Sequence, residues 1–373
     1  MNQKELTEIR KTMNHKRNCV YKIAGCYVDT EKNKRACGVH SFSMMSEEEE
    51  LKYYELFKKA LSGKIGKNQI NLEFPKEAYE NDGIQPFLYD LVKDGLANES
   101  KIQELFDRII DTYDYPDNYY ILVAYGDYDV PEVGKDGVVM EDASEDVYSF
   151  INCSICPMKP SKPGLAYNDK QDQIENAIRN MMVEVPVHGF LFPAFNDRKS
   201  DIHSVLYYTK KPEDMESSFV REMLTCIAPQ TAKGQNNSFV TALESSTEER
   251  TLDQVITVCQ SVYEIGVENE DKGDMELDSA AITRILSAAD FDGQEIDGFK
   301  EEFKKETDST EVMLTNVFDG GKKITIESGC AKFQIPTEMA DYLSVKKIDG
   351  ANCLVLRLHD DLTVNGVKIN KFN

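Results

Sequence analysis

Two apolar runs separated by one short polar loop place the strongest limit on how this chain can fold. HGFLFPAFN at 188–196 and IHSVLYYT at 202–209 both have strand-like composition, and DRKSD alone lies between them. A loop this short joins antiparallel neighbours, because parallel strands need a crossover of about a dozen residues or more. The two runs therefore predict a hairpin, and they argue against a doubly wound parallel sheet.

Other segments extend the hairpin into a mixed fold. Strand-like runs occur at 20–29, 35–42, 118–130 and 147–158. Helices are predicted over 3–13, after a capping box of Ser46 and Glu49, along an apolar stripe from Ile102 to Tyr113, and over the ambiguous segment 165–183. Strands that arrive in runs between helices predict an α+β fold. We expect a mostly antiparallel central sheet flanked by helices, a helical middle segment and a small β-rich C-terminal module.

Composition suggests where the chain divides. Residues 267–278 are acidic, contain glycine and lack periodicity, as linkers do. We therefore predict a main α+β domain over 1–266, a linker over 267–278, and a second part over 279–373. This second part is expected to hold two short helices and then the β-rich module, with Asn365-Gly366 as a tight turn.

The charge is large and uneven. The 373 residues include 43 Lys and Arg against 66 Asp and Glu, a net charge of −23. Residues 1–43 hold nine basic and four acidic side chains, or +5, which leaves −28 for the remainder. Such an acidic body makes nucleic acid an unlikely partner, because that affinity comes from neutralising phosphates. The basic N-terminal edge is expected either to dock on the acidic body of the same or a second chain, or to meet an anionic partner.

Nine cysteines without a disulfide-like framework fit a reducing compartment. No apolar stretch is long enough to cross a membrane, and the first residues do not resemble a secretory signal. The sequence therefore predicts a soluble cytoplasmic protein that does not contact membranes. Cys153 and Cys156 form a C-x-x-C, but a strand would point the two thiols to opposite faces, so we expect structural cysteines and no metal site.

The polar loop between the two apolar runs is the densest candidate site. Asp197, Asp201 and His203 could converge there for acid–base or metal chemistry, with Asn196 and Arg198 as binding residues. The alternative is a hairpin loop whose Asn and Asp side chains bond their own backbone. Lys162 and Tyr167, in a turn after the 147–158 strand, could bind an anion, although a plain turn explains them as well. No residue pattern specifies a cofactor, which stays unknown.

Several phrases together resemble one family. They are IAGCYVD (23–29), LSGKIGKNQINLEFP (61–75), MEDASEDVY (140–148), CSICPMKPSKPGLAYN (153–168) and GFLFPAFNDRKSDIHSVLYYTK (189–210). The sequence is similar, over nearly its whole length, to a family of uncharacterised proteins from Gram-positive, mostly anaerobic bacteria, classified as a domain of unknown function. The resemblance implies a bacterial, cytoplasmic setting and a shared architecture, and it transfers no activity.

The leading hypothesis is a non-enzymatic regulatory or scaffolding protein that acts through protein–protein contacts, with a homo-oligomer or another protein as partner. The runner-up is a metal-dependent hydrolase or nuclease-like enzyme that uses the 196–203 loop, so the sequence leaves open whether the protein is an enzyme. A weaker alternative is nucleic-acid association through the basic N-terminal edge.

Overall fold

A computed structural model describes residues 1–368, apart from Asn81, 134–138, 177–179, Glu248, 270–274, 308–311, Cys330, 359–362 and 365–366. The chain forms two compact units, Met1–Thr231 and Ala232–Asn373. None of the helices among the described residues is both long and apolar enough to cross a lipid bilayer. The α+β class predicted from the sequence is confirmed, since helices and a large antiparallel sheet occur together with a β-rich C-terminal part.

The first unit is built on one antiparallel sheet. Its strands are β1 (Val20–Val28), β2 (Lys34–Ser41), β3 (Gln69–Glu73), β4 (Tyr119–Val133), β5 (Val139–Pro160), β8 (Met181–Val183), β9 (His188–Phe192) and β12 (Ser204–Thr209). The strand order is β2-β1-β4-β5-β9-β12-β3, and β8 pairs with the end of β5. Each neighbouring pair is antiparallel, as the short loop between the 188–196 and 202–209 runs requires.

Helices cover both faces of this sheet. They are α1 (Gln3–Thr12), α2 (Glu47–Ala60), α3 (Ile84–Lys93) and α4 (Glu99–Thr112), together with short 3-10 turns at Phe42–Met44 and Lys76–Tyr79 and a π-helix at Phe219–Met223. Leu6 of α1 and Phe57 of α2 share one core with Leu122 of β4. The next residue, Val123, points to the opposite face and joins the core under α3 and α4. Burying both faces explains why the strands read as nearly continuous apolar runs.

The predicted 188–209 hairpin is confirmed, with a smaller hairpin at its end. β9 and β12 pair directly, with Phe190 opposite Tyr207. Beyond a cis peptide bond at Phe192-Pro193, the chain continues as β10 (Ala194–Asn196) and β11 (Lys199–Asp201), which pair around Asp197-Arg198. Asp197 and Arg198 both have positive φ, at 50° and 57°, as the tightest two-residue hairpin turns demand.

The helix predicted over 165–183 is wrong. The described residues form β6 (Leu165–Asn168) and β7 (Gln173–Asn176), which pair with each other, and then β8, which pairs with β5. Ile174, Met181 and Met182 have helix-like spacing, but Ile174 belongs to the β6–β7 pair and the two methionines belong to β8, which pairs with β5. The turn at 169–172 decides the outcome, because Asp172 takes a positive φ of 50° that a helix interior excludes.

The second unit combines helices with three hairpins. Its helices are α5 (Ala232–Ser246), α6 (Leu252–Glu268), α7 (Ser279–Ala288) and α8 (Gly293–Thr307), and 3-10 turns lie at Leu314–Gly321 and Thr337–Tyr342. Its strands pair as β13 (Lys323–Ser328) with β14 (Ala331–Pro336), β15 (Leu343–Ile348) with β16 (Ala351–Leu356), and β17 (Thr363–Val364) with β18 (Val367–Lys368). Asn365 and Gly366, predicted as a tight turn, lie outside the described residues.

The division between the two compact units falls at 231/232 along the chain, whereas composition predicted the first boundary after residue 266. The reason is packing, because Phe239 of α5 and Val262 of α6 share a core with Ile285 of α7 and Phe299 of α8. Part of the proposed linker, 270–274, lies outside the described residues, and its end supplies the buried Leu277 to this core. A polar, aperiodic stretch therefore connects two helices of one unit.

The cysteines depart from expectation in one place. Cys26 of β1 and Cys37 of β2 lie directly opposite each other and form a disulfide. Cys153 and Cys156 are both free and buried, as expected for structural cysteines on one strand. Burial raises the pKa of each of these two thiols well above its ordinary value, so neither is a thiolate at neutral pH.

Candidate functional site

Asp201 is the central residue of the predicted acid–base loop, and its side chain bonds to residues of its own hairpin and the start of the next strand. Its carboxylate accepts hydrogen bonds from the Asn196 amide at 2.6 Å, the Ser204 hydroxyl at 2.7 Å and the His203 backbone at 3.0 Å. Burial acts to raise the pKa of Asp201, but these hydrogen bonds outweigh it and hold the pKa below its ordinary value. The carboxylate is therefore ionised at neutral pH and accepts hydrogen bonds within its turn, which suits a turn better than a proton donor.

The other two acid–base candidates, His203 and Asp197, are both exposed. The exposed His203 ring shares a hydrogen bond with the Tyr79 hydroxyl, with Nδ1 at 2.8 Å from the oxygen. Asp197 is exposed at the turn. Across the part of the chain that the structure describes, no three His, Cys, Asp or Glu side chains are arranged to hold a metal ion. Asn196 and Asp201 are brought together, but the hairpin itself uses that contact.

Arg198 leaves the turn and binds helix α1. Its guanidinium donates to both carboxylate oxygens of Glu8, with Nη2–Oε1 at 2.9 Å and Nε–Oε2 at 3.2 Å, and it also donates to the Pro131 carbonyl at 2.9 Å. The Tyr128 hydroxyl donates to the same Glu8 carboxylate at 2.8 Å. The hydrogen bond with Glu8 raises the pKa of Arg198 further above its ordinary value. Arg198 therefore helps to hold the N-terminal helix in place.

The basic N-terminal edge is divided between internal pairs and one groove. Lys34 forms an ion pair with Asp107 at 2.7 Å, and Arg35 pairs with Asp29 of its own hairpin. A groove of about 960 Å³ lies beside α1. Its charged lining combines Lys4, Lys11, Arg17 and Arg198 with Glu8, Asp127 and Asp129. Because cations and anions nearly balance, the groove lacks the concentrated positive charge on which binding to a phosphate backbone depends.

Tyr167 lies on a separate hairpin formed by β6 and β7, which we call the arm (Leu165–Asn176), and Lys162 lies just before this arm. The Tyr167 hydroxyl donates to Asp172 at 2.5 Å, so it closes the arm's own turn instead of reaching an anion. Tyr167 lies directly opposite Ile174, and Leu165 is on the same face two residues earlier. These three apolar side chains are exposed, at 56%, 62% and 74% respectively. One face of the arm is therefore apolar and uncovered.

The 196–203 loop and the arm do not share a pocket. β5 runs antiparallel to β9, with Ile151 opposite Phe192 and Ile155 opposite His188. Residues after Ile155, including Lys159 and the arm, consequently lie toward the end of the sheet where β9 begins. Residues after Phe192, including the 196–203 loop, leave it at the other end. The two candidate segments are separated by the length of the strand pair.

Sequence reasoning missed a small cavity lined by Lys159, Lys210, Lys211 and His188. These residues are distant along the chain, and the pairing of β5, β9 and β12 is what gathers them. The adjacent Lys210-Lys211 after a strand was the one available signal. Sequence reasoning also missed the exposed face of the arm, because a helical interpretation of 165–183 assigned those apolar residues to a buried stripe.

These features define an α+β protein with helices on both faces of an antiparallel sheet, an exposed apolar arm and no assembled catalytic group among the described residues. The chain belongs to the family described as "Domain of unknown function (DUF4317)", whose model matches residues 1–367. A search of curated proteins finds no match.

Proposed function

We propose that this is a non-enzymatic regulatory or scaffolding protein that acts through protein–protein contacts made by its arm. The observation that carries the proposal is the exposed apolar face of Leu165, Tyr167 and Ile174. A two-stranded hairpin is marginal alone and gains stability by covering its apolar face. Clustered exposed apolar side chains typically mark an interaction site, whereas scattered ones do not.

The occupant we propose is the arm of a second copy of this chain. The region 159–185 holds Lys159, Lys162, Lys170 and Arg179 against Asp169, Asp172, Glu175 and Glu184, so it is locally neutral in a chain of −23. Two copies can therefore approach through this region with less repulsion than elsewhere on their surfaces. Stacking the same face on itself also gives the closed two-fold symmetry common in homodimers.

Further apolar surface adjoins the arm. Met182 and Val183 of β8 and the following Val185 are exposed at 53%, 40% and 38%. The exposed apolar face of the arm is small, so we expect a weak, concentration-dependent dimer rather than an obligate one. We place this role in the cytoplasm of a bacterium, since six of the described cysteines are free and one pair, Cys26 and Cys37, forms a disulfide.

The test compares self-association of the wild type with that of two arm variants. Sedimentation velocity over a wide concentration range should show the wild type passing from monomer to dimer. Leu165→Ser/Tyr167→Ser/Ile174→Ser should weaken this association by at least about tenfold, because it removes most of the apolar contact area.

The matched control is Ala166→Ser/Gln173→Ser, which changes the opposite face of the same two strands and should dimerise as the wild type does. Circular dichroism and thermal unfolding would establish that each variant keeps its fold. A wild type that stays monomeric at every concentration would overturn the proposal, as would a triple variant that dimerises unchanged.

A further inference from the structure

A second, smaller cavity lies near the base of the arm, between the end of β5, the start of β9 and the loop after β12. Its volume is about 250 Å³, and its lining includes Lys159, Lys210, Lys211, Glu184 and Asp214. Among the described residues, no carboxylate lies within 4 Å of any of the three ammonium groups, the limit for an ion pair. Three unpaired lysines around one cavity are notable in a chain with 23 more acidic than basic side chains.

Several hydrogen bonds hold the loop that carries two of these lysines. The hydroxyl of Thr209, which is fully buried, lies 2.9 Å from the carbonyl oxygens of both Lys211 and Asp214. The Asn68 amide donates to the Lys210 carbonyl at 3.1 Å, and the Asp214 amide donates to the Lys211 carbonyl at 2.9 Å. The backbone of the loop is thus fixed before any ligand arrives, which lowers the entropic cost of binding.

His188 supports the loop from the floor of the cavity. Its Nε2 is 2.9 Å from the Asp214 carbonyl oxygen and must carry the proton there, since a carbonyl can only accept. Its Nδ1 then accepts from the buried Tyr113 hydroxyl at 2.7 Å. Both ring nitrogens are occupied and the ring is neutral, because burial lowers the pKa of His188. His188 is therefore a positioning residue, and the positive charge of the cavity comes from the lysines.

We propose that this cavity binds the phosphate group of a small anionic molecule through Lys159, Lys210 and Lys211. Lysine ammonium groups act as mobile point charges and commonly bind phosphate, whereas the fork of arginine binds both carboxylate and phosphate in a bidentate way. No arginine is among the described residues that line the cavity. The three ammonium groups outnumber the two carboxylates of Glu184 and Asp214 by one, so the lining carries a net positive charge that attracts an anion. This inference does not depend on the arm dimer.

The experiment measures binding by isothermal titration calorimetry and by the thermal unfolding midpoint, at constant ionic strength set with sodium chloride. Inorganic phosphate and glycerol 3-phosphate are titrated separately, with succinate as the carboxylate comparison. We expect saturable binding and a higher midpoint with at least one phosphate probe; tighter binding of the ester identifies an organic phosphate as the ligand class. Lys159→Gln/Lys210→Gln/Lys211→Gln should reduce affinity at least tenfold.

The control variant is Lys76→Gln/Lys93→Gln/Lys199→Gln, which removes the same charge from exposed lysines outside the cavity lining. It should bind phosphate as the wild type does. Equal losses in both triple variants would show that only net charge matters and would overturn the site. Absence of saturable binding to either phosphate probe would overturn it too, and succinate binding as tightly as phosphate would overturn the phosphate assignment.

Discussion

Two polar residues on β5 are buried without hydrogen-bond partners among the described residues. Ser154 is fully buried with an unpaired hydroxyl, and the neighbouring Asn152, on the same face, has both amide atoms unpaired. An unpaired buried hydroxyl costs free energy, so Ser154→Ala should raise the free energy of unfolding by about 1 kcal/mol. Urea denaturation of the two proteins measures this change. A loss of stability in the variant would instead mean that a buried water satisfies the hydroxyl.

His188 makes stability depend on pH in a defined direction. Burial lowers the pKa of His188 in the folded state, so below the ordinary value of 6.5 the unfolded chain binds the proton more readily. The neutral His188 ring contributes fully to the free energy of unfolding above that pH. This contribution is lost as the pH falls toward the folded-state pKa of His188, at up to about 1.4 kcal/mol per pH unit. Denaturation between pH 7.5 and about 5 should show a shallower slope for His188→Gln.

The exposed His203 provides the comparison for this pH effect. His203→Gln, which changes an exposed ring that lies against Tyr79 and not in the core, is denatured over the same pH range. If His188→Gln and the wild type lose stability in parallel over this range, the buried ring is not the group responsible.

At the scale of elements, an ion pair adds to the apolar contacts that dock α1. The side chains of Arg198 and Glu8 are only 26% and 25% exposed, so solvent screens this bidentate pair less than an open surface pair. Arg198→Met leaves Glu8 without its cation and should lower the free energy of unfolding by about 1–3 kcal/mol. Lys199→Met, one residue later and exposed, should change it little. Equal effects of the two substitutions in urea denaturation would contradict this role.

Elements with strong local signals were predictable, and those decided by turns were not. The capping box at Ser46 begins α2, and the apolar stripe that starts at Ile102 lies within α4. The 165–183 segment failed because Ile174 and Met181 have spacing compatible with a helix, while the deciding preference lies in the turn that ends at Asp172. Hydrophobic periodicity does not register such a turn.

At the scale of the whole molecule, candidate sites were harder to predict than the fold class. Asp201 and His203 are close in sequence, but their side chains serve the hairpin and Tyr79. Lys159 and Lys211 are far apart in sequence but line one cavity. The pairing of β5 with β9 and of β9 with β12 brings Lys211, which follows β12, close to Lys159 of β5. Contacts between distant segments leave no local pattern, so a single sequence shows them only once the strand order is known.

The position of β3 at the edge of the sheet has a consequence for synthesis on the ribosome. β3 pairs with β12, with Glu73 opposite Ser204, so its partner is translated 131 residues later. Until then Ile70 and Leu72, both buried in the finished fold, have no strand to pair with. Such a long-range closure slows folding and leaves an apolar edge exposed in the nascent chain. The first unit thus completes its sheet only after nearly all of its own residues have emerged.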